Sequence, residues 1–463
     1  MIPTPLYDLF RYSTGITTDT RHIKRGSMFF ALRGDTFDGN AFAAQAIEKG
    51  ASCAVVSDTQ VIPPNYTTCE HYPNSDGAPR AIFYAQSTAN KPIYVWVKDT
   101  LLALQELATY YRCQFSDIGL IALTGSNGKT TTKELMRAVL STEYRVHATQ
   151  GNLNNHIGVP LTLLAMPTNT QIAIIEMGAN HQHEIETLCQ IAKPTHGLIT
   201  GIGKAHLEGF GGIEGVAKGK GEMFEYLAAH GAYAFVNGND ARVYEKGKIV
   251  KHKTIYGNAP NSDANGIVAN TDPYLSIWLH TAHKTTHHIE TQLVGAYNLD
   301  NVLAAVAVGQ YFGIPLQKMM AALYAYKPNN SRSQRSTWGS NTLILDAYNA
   351  NPTSMKAALN NLASLPHGRK AVILGEMREL GDESDYEHRH IVAQLQQIND
   401  LETVVLVGKN YQPFGREAGF RCFDTVTDAK IWFDRHQFEH TTLLIKGSRG
   451  VALEKLFDVP NTQ

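Results

Sequence analysis

The chain has 463 residues, with 41 Lys and Arg against 42 Asp and Glu, a formal net charge of -1, and five cysteines. At about 150 residues per domain, the length predicts about three domains. Apolar residues make up 43% and charged residues 18% of the chain, which excludes a disordered or supercharged chain and leaves no global field for nucleic acid or an anionic membrane. No run of about 18 apolar residues predicts a membrane span. The N-terminal stretch lacks the basic and apolar regions of a signal peptide. Cys53, Cys69, Cys113, Cys189 and Cys422 are scattered and form no C-x-x-C, as expected for free thiols in a reducing cytoplasm.

Residues 1–98 alternate apolar runs with turn chemistry. Ser27–Leu32, Ala51–Val56 and Ile93–Val97 read as strands, and Phe42–Lys49 has helical spacing. This predicts a small mixed α/β N-terminal domain. Thr100–Tyr111 carries Leu101, Leu104, Leu107 and Ala108 at helical spacing and leads into a second domain, 99–327. Apolar runs at Gly119–Thr124, Gln171–Glu176, Gly197–Thr200 and Ala232–Asn237 alternate with helical stretches, the pattern of a parallel sheet covered on both faces. Residues 262–292 read as a polar antiparallel addition, and Asn298–Tyr311 as a helix. A third domain, 328–463, carries four further strands at Thr342–Asp346, Lys370–Leu374, Thr403–Val407 and Thr442–Lys446. It reads as a Rossmann-like, doubly wound module.

The strongest chemical signal is Leu123-Thr-Gly-Ser-Asn-Gly-Lys-Thr-Thr-Thr132 between an apolar strand and a helix-competent stretch. Gly125, Ser126, Asn127 and Gly128 form a shortened phosphate loop, G-x-x-G-K-T, with Leu123 where the strict form has glycine. Backbone N–H groups and a helix N-terminus attract phosphate there. Lys129 is predicted to hold the outer phosphates, Thr130 to place a hydroxyl on Mg²⁺, and Thr131 to bind the nucleotide with them.

Glu176 ends an apolar strand, where either a Mg²⁺ ligand or a helix cap belongs. His206 lies in a glycine-rich loop past another strand. Lys218 and Lys220 follow among small residues. An isolated histidine in such a loop is more often a turn or core residue, and no H-E-x-x-H supports zinc hydrolase chemistry. Asn298 and Asn301 share one helix, Arg332 follows a Pro-Asn-Asn turn, and Asp346 ends a strand. Each also reads as an ordinary cap or turn residue.

Together these segments resemble the Mur ligases, nearly end to end. The resemblance covers Asp19–Gly39, Thr124–Glu134, Gly151–Thr162, Glu176–Asn180, Asp346–Pro352, Leu374–Asp382 and Lys446–Arg449. The threonine-rich phosphate loop is also that of folylpolyglutamate synthetases. The Leu374–Asp382 segment and Asn154-Asn-His-Ile-Gly-Val-Pro160 are similar to the branch of the family that uses D-alanyl-D-alanine. Ser331 stands where the family often has glycine, and Ala347 where it often has an acidic residue.

The resemblance implies an ATP-dependent amide ligase of cytoplasmic peptidoglycan synthesis. It would join D-alanyl-D-alanine to UDP-N-acetylmuramoyl-tripeptide through an acyl phosphate, and act as a monomer. It implies that Thr130 and Glu176 serve one Mg²⁺, and that His206 and Lys220 serve a second. Lys220, or alternatively Lys218, matches a lysine carried as a carbamate. Asn155 is expected near the phosphoryl site. Asn298, Asn301, Arg332 and Asp346 are expected at the nucleotide, and Asp19, Thr20, Arg21, Arg33 and Asp38 at the UDP-sugar. A hinge is expected near Lys327 to Ser331. The competing readings are a ligase adding a diamino acid, a folylpolyglutamate synthetase, and a phosphate-loop ATPase switch. A dinucleotide oxidoreductase rests only on Gly201-Ile-Gly203, without the third glycine.

Overall fold

The computed structural model describes residues 4–73, 79–85, 91–259, 261–280, 285–328 and 332–457. Two compact units divide the chain. The first holds residues up to Ala122 together with Arg145–Gly178 and Glu186–Thr195. The second holds Leu123–Tyr144, Ala179–Ile185 and residues from His196 on.

In the first unit, six strands form one sheet. They are β1 (Ile16–Thr17), β2 (Met28–Phe30), β3 (Cys53–Val56), β4 (Thr67–Pro73), β5 (Pro79–Ala85) and β6 (Ile93–Val97), in the order β1-β2-β3-β6-β5-β4. The strands from β1 to β6 in that order are parallel, and β5 and β4 add antiparallel pairs. Every residue of β2 and β3 is buried, as strands covered on both faces require. Phe29, Ala31, Ala43, Ala46, Ala54, Val56 and Tyr94 fill the core. The antiparallel pair β4–β5 has no counterpart among the predicted strands: Thr67-Thr-Cys-Glu-His-Tyr-Pro73 offers no apolar run, and the sequence reading assigns no strand to the apolar run Ala81–Ala85 of β5.

The helix Thr100–Arg112 starts where Asp99 accepts from the N–H groups of Leu101 and Leu102, at 2.8 and 3.0 Å. Strand β7 (Gly119–Thr124) crosses from the first unit into the second and ends at the phosphate loop. Strands β8 (Val146–Ala148) and β9 (Ile172–Glu176) pair in parallel within the first unit.

The second unit carries β10 (His196–Ile199), β11 (Tyr233–Asn237), β12 (His252–Gly257), β13 (Ala264–Asn270), β14 (Ser276–His280) and β15 (Thr286–Glu290), consecutive in their sheet. Pairing is parallel from β10 to β13 and antiparallel from β13 to β15, which bears out the polar antiparallel addition. The last sheet has six strands, two more than predicted: β16 (Gln334–Trp338), β17 (Asn341–Asp346), β18 (Arg369–Gly375), β19 (Leu401–Val407), β20 (Arg421–Phe423) and β21 (Thr441–Lys446). Their order is β16-β17-β21-β18-β19-β20, with only β16 antiparallel. The two unpredicted strands are the sheet's edges, where half-exposed positions need no apolar run. The described residues are thus α/β with three sheets, as the sequence pattern predicts. Residues 329–331 of the expected hinge lie outside the described residues. Among the described residues, no helix is long and apolar enough to cross a membrane.

Candidate active site

The phosphate loop forms because β7 buries its last five residues and the chain must then turn at once into the helix Lys129–Leu140. Gly128 precedes that helix at φ +80°, and a Cβ there would stand 2.4 Å from the Asn301 Oδ1. Gly125 takes φ +147°, with Thr200 Oγ1 where a Cβ would be. Only glycine fits either position. The loop is then fixed by its neighbours. The Ser126 N–H donates to the Gly201 carbonyl at 2.9 Å, and its hydroxyl to the Gly203 carbonyl at 2.9 Å. The Thr200 hydroxyl donates to the Asn127 carbonyl at 2.5 Å. Lys129 Nζ reaches back to the Gly125 carbonyl at 2.6 Å. Thr130 is buried in the first turn and Thr131 is half-buried beside it.

Asn298 and Asn301 lie under the loop. Asn301 Oδ1 accepts from the Thr132 hydroxyl at 2.9 Å, and Asn301 Nδ2 donates to Asn298 Oδ1 at 2.8 Å. Asn298 in turn donates to the Val294 carbonyl at 2.8 Å. Both amides therefore support the loop.

The third sheet's connections meet the loop from the other side. Asn351 Nδ2 donates to Asn127 Oδ1 at 2.8 Å, and Asn127 Nδ2 returns a bond at 3.3 Å. Asn351 also caps the helix Pro352–Ser364 by accepting from Ser354 N–H at 2.9 Å. The Lys204 N–H donates to Thr353 Oγ1 at 3.1 Å, while its ammonium sits between Glu383 at 3.0 Å and Glu387 at 2.5 Å. Those two carboxylates raise the Lys204 pKa. Two residues on, His206 Nδ1 meets the Glu379 carboxylate. That contact holds the Glu379 carboxyl below its usual range. Asn351, Thr353, Lys204 and Glu379 carry no role in the sequence reading. The one local signal was Asn351 before Pro352, a helix-start pattern.

Lys220 sits in the helix Ile213–Ala229 and is 1% exposed. Burial lowers its pKa well below the ordinary value, the Lys129 charge lowers it further, and Glu184 and Glu222 oppose both. Lys220 Nζ stands 5.4 Å from the centre of the Phe210 ring. Glu222 accepts from the His183 N–H at 2.6 Å, and Glu184 from the N–H groups of Asn180 and His181 at 2.7 and 3.2 Å. Lys218, on the same helix, is exposed.

Within the first unit, Glu176 ends β9 and is 2% exposed. Asn154 Nδ2 donates to its Oε1 at 2.9 Å. Asn155 Oδ1 accepts from the N–H groups of Ile157 and Gly158, at 3.1 and 2.8 Å, and so holds the start of the helix Gly158–Leu164. Asp19 caps the turn Thr20–His22 and pairs with Arg21 at 2.6 Å, which holds its carboxyl near pKa 2. Arg33 pairs with Asp38 at 3.1 Å, and Asp38 also accepts from the N–H and amide of Asn40. These four side chains thus form two local ion pairs.

In the second unit, Asp346 and Lys446 end adjacent parallel strands in register, and Lys446 Nζ donates to Asp346 Oδ2 at 2.6 Å. The Ser333 N–H donates to the other carboxylate oxygen at 3.3 Å. The Arg332 guanidinium stacks 3.8 Å above the Tyr348 ring centre, and its buried Nε has no hydrogen-bond partner. These groups stand at carboxyl ends of parallel strands, where α/β sheets bind ligands.

Among the described residues, no three His, Cys, Asp or Glu side chains gather to hold a metal. The expected Mg²⁺ donors are of mixed kind: the Thr130 hydroxyl, the Glu176 carboxylate, the His206 imidazole and a modified Lys220. Hard oxygen donors suit Mg²⁺, which keeps several waters and borrows phosphate oxygens. Burial lowers the Lys220 pKa and so favours the neutral amine from which a carbamate forms. The donor set is therefore compatible with the ion.

A buried strand, a two-glycine loop and a helix opening on lysine define a phosphate-loop protein. Three family descriptions then match consecutive stretches: the Mur ligase family catalytic domain at residues 13–112, the Mur ligase middle domain at 123–309, and the Mur ligase glutamate ligase domain at 332–449. The chain belongs to the Mur ligase family. It is 34% identical to the UDP-N-acetylmuramoyl-tripeptide--D-alanyl-D-alanine ligase of Bacillus subtilis, over 96% of this chain and 92% of that one. The Escherichia coli ligase of the same name is 34% identical over 95% and 92%. A crystal structure of MurF from Acinetobacter baumannii superposes with a TM-score of 0.81 at 30% identity, covering 98% of this chain and 97% of that one.

Proposed function

We propose that this chain is an ATP-dependent ligase that joins D-alanyl-D-alanine to UDP-N-acetylmuramoyl-tripeptide. The observation that carries the reading is the phosphate loop, whose Lys129 lies in the field of the buried Lys220, in a chain similar over nearly its whole length to ligases of that name. The three modules are 1–98 for the UDP-substrate, 99–327 for ATP, and 328–463 to complete the site. ATP and a UDP-linked precursor place the reaction in the cytoplasm.

A carboxylate is a poor electrophile until one oxygen becomes a leaving group. Transfer of the γ-phosphoryl of ATP to the tripeptide carboxylate yields an acyl phosphate and ADP. The amine of D-alanyl-D-alanine then attacks the carbonyl carbon, phosphate leaves with the C–O bond, and the amine loses a proton. Lys129 neutralises charge gathering on the transferring phosphoryl group, and the loop N–H groups orient it. When bound, Mg²⁺ would supply further neutralisation; Thr130 and Glu176 would be the donors to one ion, and His206 with a carbamylated Lys220 the donors to a second. Lys220 suits carbamylation better than Lys218. The reaction needs a neutral amine, which burial favours at Lys220, while Lys218 is exposed. Asn155 serves the phosphoryl site. Asn298, Asn301, Arg332 and Asp346 serve the nucleotide, and Asp19, Thr20, Arg21, Arg33 and Asp38 the UDP-sugar.

The test is phosphate release with Mg-ATP, UDP-N-acetylmuramoyl-tripeptide and a panel of amines, with product masses measured. Release requiring both tripeptide and D-alanyl-D-alanine, with a product heavier by that dipeptide less water, supports the reading. Turnover of a diamino acid on the dipeptide precursor, or amine-independent hydrolysis, overturns it.

A further inference from the structure

We propose that Glu379, from the loop after β18, is a positioning residue that makes His206 a competent metal ligand when the third sheet's loops are docked on the phosphate-loop region. The inference rests on the reading of His206 as a ligand and adds the residue that acts through it.

Three observations carry it. First, the Glu379 carboxylate meets His206 at Nδ1, one particular ring nitrogen. A carboxylate there keeps the ring proton on Nδ1 and leaves the Nε2 lone pair for another partner. Metal-binding histidines nearly always have such a partner on the far nitrogen. Second, the imidazole is not sealed in: its side chain stays 22% exposed. Third, both backbones are held in the left-handed region, His206 at φ +54° and Glu379 at φ +61°. Residues other than glycine seldom adopt it, and they persist there only where the surroundings over-determine them. The two strained residues face one another, and the Glu208 N–H adds a bond to the Glu379 carbonyl at 3.3 Å.

Docking and orienting are separate tasks here. Lys204 binds Glu383 and Glu387 and holds its loop against the helix Ser384–Leu395 without touching the imidazole. Glu379 touches the ring. The consequence is a linkage: docking of the third module tightens metal binding at His206, and metal binding favours docking by the same factor. Arrival of the module would then complete the metal site.

The test uses the full chain with a non-hydrolysable ATP analogue and Mn²⁺ as the probe. Free Mn²⁺ is read by electron paramagnetic resonance, and bound imidazole by the nitrogen modulation of its spin echo. Wild type is expected to show nitrogen coupling, and His206→Ala to lose it. Glu379→Leu is expected to weaken Mn²⁺ binding by about 10–100-fold and to lose the coupling. Glu379→Gln, whose amide oxygen still accepts from Nδ1, should retain the coupling. Lys204→Ala should retain it at saturating Mn²⁺. If Glu379→Leu does not fold, Glu379→Ala takes its place. Wild-type affinity and coupling in the Glu379 variant, alongside loss in His206→Ala, overturn the proposal while leaving His206 a ligand. Unchanged coupling in His206→Ala overturns both. Equal loss in Lys204→Ala and Glu379→Leu reduces Glu379 to an interface contact and also overturns it.

Discussion

Asn127 and Asn351, 224 positions apart in the chain, hold each other by both amides. One is in the phosphate loop, and the other caps the helix Pro352–Ser364. Anything that moves the loop therefore pulls on the start of a helix in the third module. Replacing Asn351 by alanine removes a helix cap worth about 1 kcal/mol and leaves the Asn127 amide without its partner. Asn351→Asp keeps a capping oxygen but loses the Nδ2 donor. Thermal denaturation should rank wild type above Asn351→Asp and Asn351→Ala lowest. KM for ATP should rise in both variants.

Lys129→Ala should leave the fold intact and lower kcat by at least about 100-fold, the scale of losing a charge aimed at the transferring phosphoryl group. Phosphate release with both substrates saturating measures it. A variant within tenfold of wild type would remove Lys129 from the mechanism.

Gly128→Ala forces a side chain into φ +80° and onto the Asn301 Oδ1, which already accepts from the Thr132 hydroxyl. The expected cost is about 1–3 kcal/mol of stability, together with weaker nucleotide binding, read by denaturant unfolding and by calorimetric titration with ADP. Gly151 also has a positive φ but has open space around a Cβ. Gly151→Ala should therefore cost less.

Lys220 predicts a pH dependence whose sign follows from burial. Its folded-state pKa lies well below 10.5, so between the two values the unfolded chain binds one proton more. Stability from this residue therefore rises with pH across that window. The penalty is largest below the folded value and vanishes above about 10.5. In CO₂-depleted buffer, Lys220→Met should unfold at the same or a higher temperature near neutral pH, a gain of about 0.5–2 kcal/mol, and show a flatter pH profile. It should also lose activity. A lower unfolding temperature for Lys220→Met at pH 7 would mean that the buried ammonium is well paired.

The sequence by itself determined the elements and the family. Strand β7, the loop and the helix Lys129–Leu140 are each set by neighbours within a few positions: an apolar run, two glycines, then helix formers. The same local logic made β2, β3, β17, β18, β19 and β21 legible, since each carries consecutive buried apolar residues. It failed at β1, β4, β8, β12, β16 and β20, which are short, polar or half-exposed, and it passed over the apolar run Ala81–Ala85 of β5. Only the tertiary structure decided which polar groups meet. That Asn351 pairs with Asn127, Glu379 with His206, and Lys204 with Glu383 and Glu387 depends on the packing of separate sheets, which no local periodicity encodes. It also set Lys218 and Lys220 apart by burial. Two positions apart on one helix, one is exposed and the other buried, and burial holds the Lys220 ammonium below its ordinary pKa. Spacing names the residues able to do chemistry; burial and long-range pairing determine their charge and their partners.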